Sequence, residues 1–385
     1  MPKIEKIQAP IRGDGLAARS ERPTLIGKLG SWLLIIPSVL IGIILVELFC
    51  ELFIPSLVNP SGLDRRVVFL DGRAPIFENH GDIFTYLPHA EFRQLVGFFS
   101  DYDFYVEFDY RYRTNNYGLV QDGDIEPGRE SLILLGDSFT EGQGVEPWFR
   151  LVSPLIEKLG YQPVNGGLLG TGFQQWLELD RYLSAKDIQI GKVVVLFISD
   201  DYHRPVWNMP PPLLACLTAL SRCRAEQSYF YRLPPATEMS SWIAKVRTAR
   251  GPARIRLKMR ASALLPASYS IYRHFRQQMV FAKAEGGSHA AIAELTRLYG
   301  PENIVFIHLP QKNEIGHGPD DLGLKARRAI EDAGARWYDG FNLCQMTTSD
   351  YHANDEHPNQ SGYRKIAACT ANVIDELLSR ARRGG

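Results

Sequence analysis

Apolar positions along this chain follow three patterns: one unbroken run, short clusters of strand length, and stretches spaced for helices. The unbroken run comes first. Residues 29–46 carry no charge and include Trp32, Leu33, Leu34, Ile35, Ile36, Leu40, Ile41, Ile43, Ile44 and Leu45. A helix of that length reaches across a hydrocarbon core, and being apolar on every side it lacks the single stripe of a surface helix. Glu47, Leu48, Phe49, Cys50 and Glu51 follow it, where a cleaved leader would carry small residues, so an uncleaved anchor is expected. Lys3, Lys6, Arg12, Arg19, Arg22 and Lys28 precede it against Glu5, Asp14 and Glu21. That bias predicts a cytoplasmic tail over 1–28, a single-pass transmembrane anchor over 29–55, and a remainder on the periplasmic or extracytoplasmic side.

Beyond the anchor, residues 56–130 are rich in aromatics and loop formers and read as a lead-in or stalk. Alternation through Tyr102-Asp103-Phe104-Tyr105-Val106-Glu107-Phe108 predicts a strand there. Short apolar runs at 132–135, 193–198 and 304–309 predict core strands, with weaker ones at 162–165 and 336–338. Helical spacing occupies 148–159, 172–183, 289–298, 322–333 and 362–380. Strand alternating with helix predicts an α/β domain over 131–385, a three-layer α/β/α sandwich with a mostly parallel sheet. An insertion at about 206–287 interrupts it, opening on Pro210, Pro211 and Pro212 and continuing through Arg247, Arg250, Arg254, Arg256, Lys258 and Arg260. Such a basic stretch suits anionic lipid head groups, an acidic polysaccharide, or simply a solvated helix face.

Composition changes this picture little. The 385 residues carry 43 basic and 43 acidic side chains, which leaves no bulk charge for nucleic-acid binding. Of five cysteines, Cys50 falls at the membrane edge. Cys216, Cys223, Cys344 and Cys369 form an even set, either paired as 216–223 and 344–369 or left as thiols. No zinc-like spacing and no phosphate-binding glycine loop is present, so neither metal nor cofactor is expected.

Chemistry concentrates at two places. Leu132-Ile133-Leu134-Leu135-Gly136-Asp137-Ser138-Phe139-Thr140-Glu141-Gly142 is a buried strand ending in a sharp turn, which would present Ser138 at the carboxyl edge of a parallel sheet. A serine hydroxyl needs a base to become a nucleophile. Asn354-Asp355-Glu356-His357-Pro358-Asn359-Gln360-Ser361-Gly362-Tyr363 offers His357 as that base, with Asp355 to hold its tautomer, just before a long amphipathic helix. His203, His308, His317 and His352 are alternatives, none followed by a comparable helix start.

Together the two blocks resemble the SGNH/GDSL hydrolase family, and the resemblance covers roughly residues 130–204 and 290–381 with the blocks in the family's order. The resemblance implies a flavodoxin-like sheet and acyl-ester chemistry with Ser138 as nucleophile and no cofactor. Its glycine block is similar to Val164-Asn165-Gly166-Gly167-Leu168-Leu169-Gly170-Thr171-Gly172, which makes Gly167, or else Gly170, an oxyanion donor beside the Ser138 amide. Its Gly-x-Asn-Asp block corresponds to Phe197-Ile198-Ser199-Asp200-Asp201-Tyr202, so Asp200 stands where the family has its oxyanion-hole asparagine. An ionised carboxylate cannot donate a hydrogen bond. Either Asp200 is protonated or another donor substitutes. A second departure is the Asp-x-His spacing, which is similar to alginate O-acetyltransferases and points to acyl transfer as well as hydrolysis. Arg113-Thr114-Asn115-Asn116-Tyr117-Gly118 looks like a segment of exported relatives that borders the cleft or supports it.

The expected partners are an acyl-ester or carbohydrate substrate and, through the anchor, membrane lipid. Two rivals stand beside this reading: a non-catalytic glycan-binding or assembly module, and a lipase or thioesterase facing the bilayer. Oligomeric state is left open.

Overall fold

All five runs expected as core strands form one parallel sheet. In this computed structural model the described residues are 25–53, 65–71, 76–81, 83–99, 104–204, 239–241, 244 and 266–383. The sheet comprises β6 (Glu130–Gly136), β7 (Gln162–Gly167), β8 (Gln189–Phe197), β9 (Ile304–His308) and β10 (Arg336–Asp339), in the order β10-β9-β8-β6-β7. Every pairing is parallel. Counted from β6 this is the doubly wound order 2-1-3-4-5, in which ligands bind where the order reverses, between β6 and β8.

Continuous apolar runs suit these strands because both faces are covered. On one face Ile133, Leu135, Val193, Val195 and Phe306 pack against Phe173 and Trp176 of one helix (Phe173–Ser184), Ile292 and Leu295 of the long helix Pro266–Tyr299, and Ile330 of Asp321–Asp332. On the other, Leu132, Leu134, Val194, Leu196 and Ile307 meet Ile156 of Ser153–Lys158 and Ile366, Val373, Ile374 and Leu377 of the last helix, Gln360–Arg383. Three layers result, as the alternation of patterns implied. A Cys344–Cys369 disulfide staples the last helix to the loop after β10, while Cys216 and Cys223 lie outside the described residues.

The lead-in is also built around a core of its own. β1 (Arg65–Asp71), β4 (Glu91–Phe99) and β5 (Phe104–Arg113) form an antiparallel sheet in the order β1-β4-β5, and β2 (Phe77–Asn79) pairs with β3 (Phe84–Tyr86). Phe77, Phe84, Tyr86, Phe92, Phe98, Phe108, Tyr110 and Tyr112 pack together between them. Most of the basic insertion falls outside the described residues.

Residues 29–53 of the expected anchor lie in one helix, Leu25–Phe53, and 54–55 fall outside the described residues. Val39, Leu40, Ile41, Ile44, Leu45, Leu48, Leu52 and Phe53 are exposed on it, whereas Cys50 is buried. Side chains of residues 25–34 are outside those described. Among the described residues no helix is long and apolar enough to cross a membrane.

Candidate active site

Ser138 opens a one-turn helix, Ser138–Glu141, directly off the carboxyl end of β6. Asp137 caps that turn, its carboxylate accepting the Phe139 amide at 2.8 Å. The serine therefore stands at the switch point of the sheet, 6% exposed. His357 Nε2 lies 2.8 Å from Ser138 Oγ, and His357 Nδ1 is hydrogen-bonded to Asp355 Oδ1. The Asp355 carboxylate also takes the His357 amide at 3.0 Å, which fixes loop and ring together. With Nδ1–H given to a carboxylate, Nε2 presents its lone pair to the serine hydroxyl.

The histidine loop is held from several sides. Tyr351 and Pro358 bridge its ends, and Lys312 Nζ donates to the His352 and Ala353 carbonyls, each at 2.6 Å. Asn354 donates its amide and its side chain to Glu107 of β5, at 2.8 and 3.0 Å, so a lead-in strand fastens the loop. Asn359 Oδ1 then caps the last helix through the Ser361 amide at 2.9 Å. Gly362 is required there, since a Cβ would stand 2.3 Å from the Asp350 carbonyl. Tyr363 reaches back to the Ser138 and Gln143 carbonyls, each at 3.3 Å, tying this helix to the nucleophile turn.

Three further expectations fare differently. Gly167 packs against the nucleophile turn so closely that a Cβ would lie 2.1 Å from the Glu141 nitrogen, but its amide donates to Asn165 Oδ1 at 3.1 Å. Gly170 lines the cavity beside Ser138. Asp200 pairs with Gln311, accepting from its Nε2 at 3.1 Å, and is not part of the cavity lining. Arg204, which the sequence did not single out, is part of it. Its guanidinium bonds Asp137 Oδ2 at 2.8 Å and the Thr171 carbonyl at 3.0 Å, and pairs with Asp201 at 3.0 Å. Burial works against that charge, but Asp201 and Asp137 more than offset it and hold Arg204 cationic.

A second buried acid completes the nucleophile turn. Glu141 accepts from Tyr86 Oη at 3.0 Å and from the Leu169 amide at 2.8 Å. Burial pushes its carboxyl up to about 8, against the pull of those two donors.

The site opens into a cavity of about 210 Å³ that contains Ser138 and His357. Val68 and Leu70 of β1, Phe77, Tyr86 and Tyr112 from the other lead-in strands, and Leu169 form its apolar walls. Gln94, Gln143 and Arg204 are its remaining polar side chains. Among the described residues no cluster of His, Cys, Asp and Glu is arranged to hold a metal ion. The arrangement can activate a hydroxyl and hold a small, largely apolar group beside it.

No family model matches the chain, and no curated protein matches it. Solved structures do resemble it. An alpha/beta hydrolase enzyme from the metagenome of Lake Arreo, Spain, is 12% identical, with 66% of this chain and 98% of that one covered and a TM-score of 0.33. A member of the lipolytic protein G-D-S-L family from Veillonella parvula is 14% identical, covering 64% and 98%, at a TM-score of 0.31. AlinE4, an SGNH-hydrolase family esterase, is 12% identical, covering 66% and 98%, at 0.29. These likenesses are low in identity and in TM-score.

Proposed function

We propose that this chain is a serine-dependent acyl-ester hydrolase or O-acyltransferase of the SGNH/GDSL kind, working on the outer side of a cytoplasmic membrane. The observation that carries this is Ser138 Oγ at 2.8 Å from His357 Nε2, with Nδ1 held by Asp355, at the mouth of a cavity. Ser138 Oγ attacks the ester carbonyl as its proton passes to His357 Nε2. The tetrahedral oxyanion is stabilised by the Ser138 amide, by the glycine loop at Gly170, and by the fixed positive charge of Arg204. Arg204 takes the place of a donor that Asp200, paired with Gln311, does not supply. Collapse breaks the carbon–oxygen bond to the alcohol, which leaves with the proton from His357. Water or a sugar hydroxyl then gives its proton to His357 and attacks the acyl-enzyme, releasing acid or a new ester and restoring Ser138.

The exposed apolar side chains of Leu25–Phe53 support an anchoring role for that helix. With the domain outside the membrane, acylated envelope polysaccharide is the substrate class that suits it. The full chain, purified in detergent, is to be treated with a fluorophosphonate probe and with p-nitrophenyl butyrate, beside Ser138→Ala. Labelling and turnover that both vanish in the variant are expected. A folded parent that takes no label overturns the enzyme and leaves the binding module.

A further inference from the structure

Alternation along β1 puts Val68 and Leu70 on one face, and the register pairs Leu70 with Gln94 of β4, which lies on that same face. Phe92 stands opposite Tyr112 in the neighbouring pair of strands. This face of the lead-in sheet forms the wall of the cavity that holds Ser138. A sugar ring would ask for many polar partners, and beyond the reacting groups the wall offers few. Gln94 already accepts from Tyr110 at 3.2 Å, and Arg204 uses Nη1 for Asp137, Asp201 and Thr171. Its remaining donors are assigned to the oxyanion, which leaves Gln143 as the other polar side chain. An aliphatic chain asks only for apolar surface.

The cavity also has a floor. Phe77, stacked on Tyr86 with ring centroids 4.9 Å apart, and Leu169 line both this cavity and a smaller void of about 10 Å³ beyond it. Ile83, Phe84 and Leu168, with the polar Thr171 and Gln175, complete that void, which has room for one water at most. At about 210 Å³ the cavity itself lies below the roughly 300–1,000 Å³ of pockets for drug-sized ligands.

We infer that the cavity receives the acyl group of the ester, a short to medium unbranched aliphatic chain, and that Phe77 and Val68 set its length. This rests on the serine-ester reading. The chain leaves the carbonyl at Ser138 and runs along the β1 face until it meets Phe77. Acetyl leaves the cavity part empty, and a long lipid chain meets the Phe77–Leu169 partition. The lead-in sheets thus choose the acyl group, while the parallel sheet supplies the reacting groups.

The test is a series of p-nitrophenyl esters from acetate to palmitate, measured as kcat/KM on the full chain, on Phe77→Ala and on Val68→Phe. Fluorophosphonate labelling of Ser138 is read in parallel. The parent is expected to peak between butyrate and octanoate. Phe77→Ala joins the cavity to the void and moves the optimum to longer chains, raising decanoate relative to butyrate roughly tenfold or more. Val68→Phe narrows the cavity and moves the optimum towards acetate by a similar factor. If Phe77→Ala does not fold, as judged by circular dichroism, Val68→Phe decides alone. Normal labelling with an unchanged chain-length profile overturns this inference and leaves the ester chemistry standing. A folded parent that takes no label overturns the ester chemistry itself.

Discussion

Ser138 and Ser199 each lie within hydrogen-bonding distance of a histidine, His357 at 2.8 Å and His308 at 3.0 Å, and both serines follow a strand of the same sheet. What separates the pairs is the partner on the far side of the ring. Asp355 accepts a hydrogen bond from His357 Nδ1–H, so Nε2 is left as a base. Arg327 Nε donates to His308 Nδ1 at 2.8 Å, so Nε2 must carry the proton and give it to Ser199, whose hydroxyl in turn donates to Glu314 at 2.5 Å. Burial, helped by Arg327, drives His308 down to about 3 and keeps it neutral at any working pH. Ser199 and His308 are fully buried, whereas Ser138 and His357 share a cavity wall. A serine beside a histidine is therefore not yet a nucleophile. The charge behind the ring and an open space in front of it decide.

The comparison breaks first at the serines. Ser138→Ala should lower kcat/KM on p-nitrophenyl butyrate by roughly 10⁴-fold or more. Ser199→Ala should leave it near the parent value and cost about 1–3 kcal/mol of stability in urea unfolding, because His308 and Glu314 lose a buried partner. Equal losses of activity in both would erase the distinction drawn above. Next in size is the charge behind the ring. Asp355→Asn leaves shape intact but favours the wrong tautomer, and should cut kcat by about 10²–10⁴-fold, with fluorophosphonate labelling slowed in step.

A third effect concerns pH and stability. The Glu141 carboxyl is raised by burial to about 8, from an ordinary 4.5, so the folded state keeps a proton that the unfolded state releases. Its contribution is complete below about 4.5 and is lost as pH rises through about 8. Glu141→Gln should flatten that fall, on the order of a few kcal/mol between pH 5 and 9, read from unfolding midpoints. A slope identical to the parent's would show that Glu141 is ionised when folded. Smallest is Arg327→Leu, which removes the donor to His308 Nδ1. Stability should drop by about 1 kcal/mol in thermal melts while kcat holds. A large loss of kcat instead would make the His308 network part of the reaction.

Strands of the parallel sheet were legible because 132–135, 193–198 and 304–307 are apolar throughout, as a doubly covered sheet requires. The helix expected at 148–159, by contrast, divides into Trp148–Leu151 and Ser153–Lys158, and that expected at 289–298 is the end of Pro266–Tyr299, which starts within the expected insertion. Ser138, Asp355 and His357 could be named because two short segments carry their own turn and helix-start chemistry, and folding brings them within hydrogen-bonding reach. The surroundings were harder to read. Arg204 meets Asp137 across 67 positions, and no local pattern announces that meeting. Asn165 occupies the Gly167 amide through a two-residue side-chain bond, which competes with any outside acceptor. The aromatic alternation near Phe104 gave away a strand but not the cavity wall, since facing depends on pairing register across β1, β4 and β5.

The tether from Asn354 to Glu107 has one more consequence. On the proposed reading, two stretches of chain that meet only after folding divide the labour: one makes and breaks bonds, while the other selects what enters and holds the histidine loop through the Glu107 carboxylate and the Phe108 ring against His352. Inheritance can then tinker with the selector, exchanging Val68, Leu70 or Phe77, while the reacting trio stays untouched. Glu107 is the exception, the point where a change in taste would be felt as a change in speed.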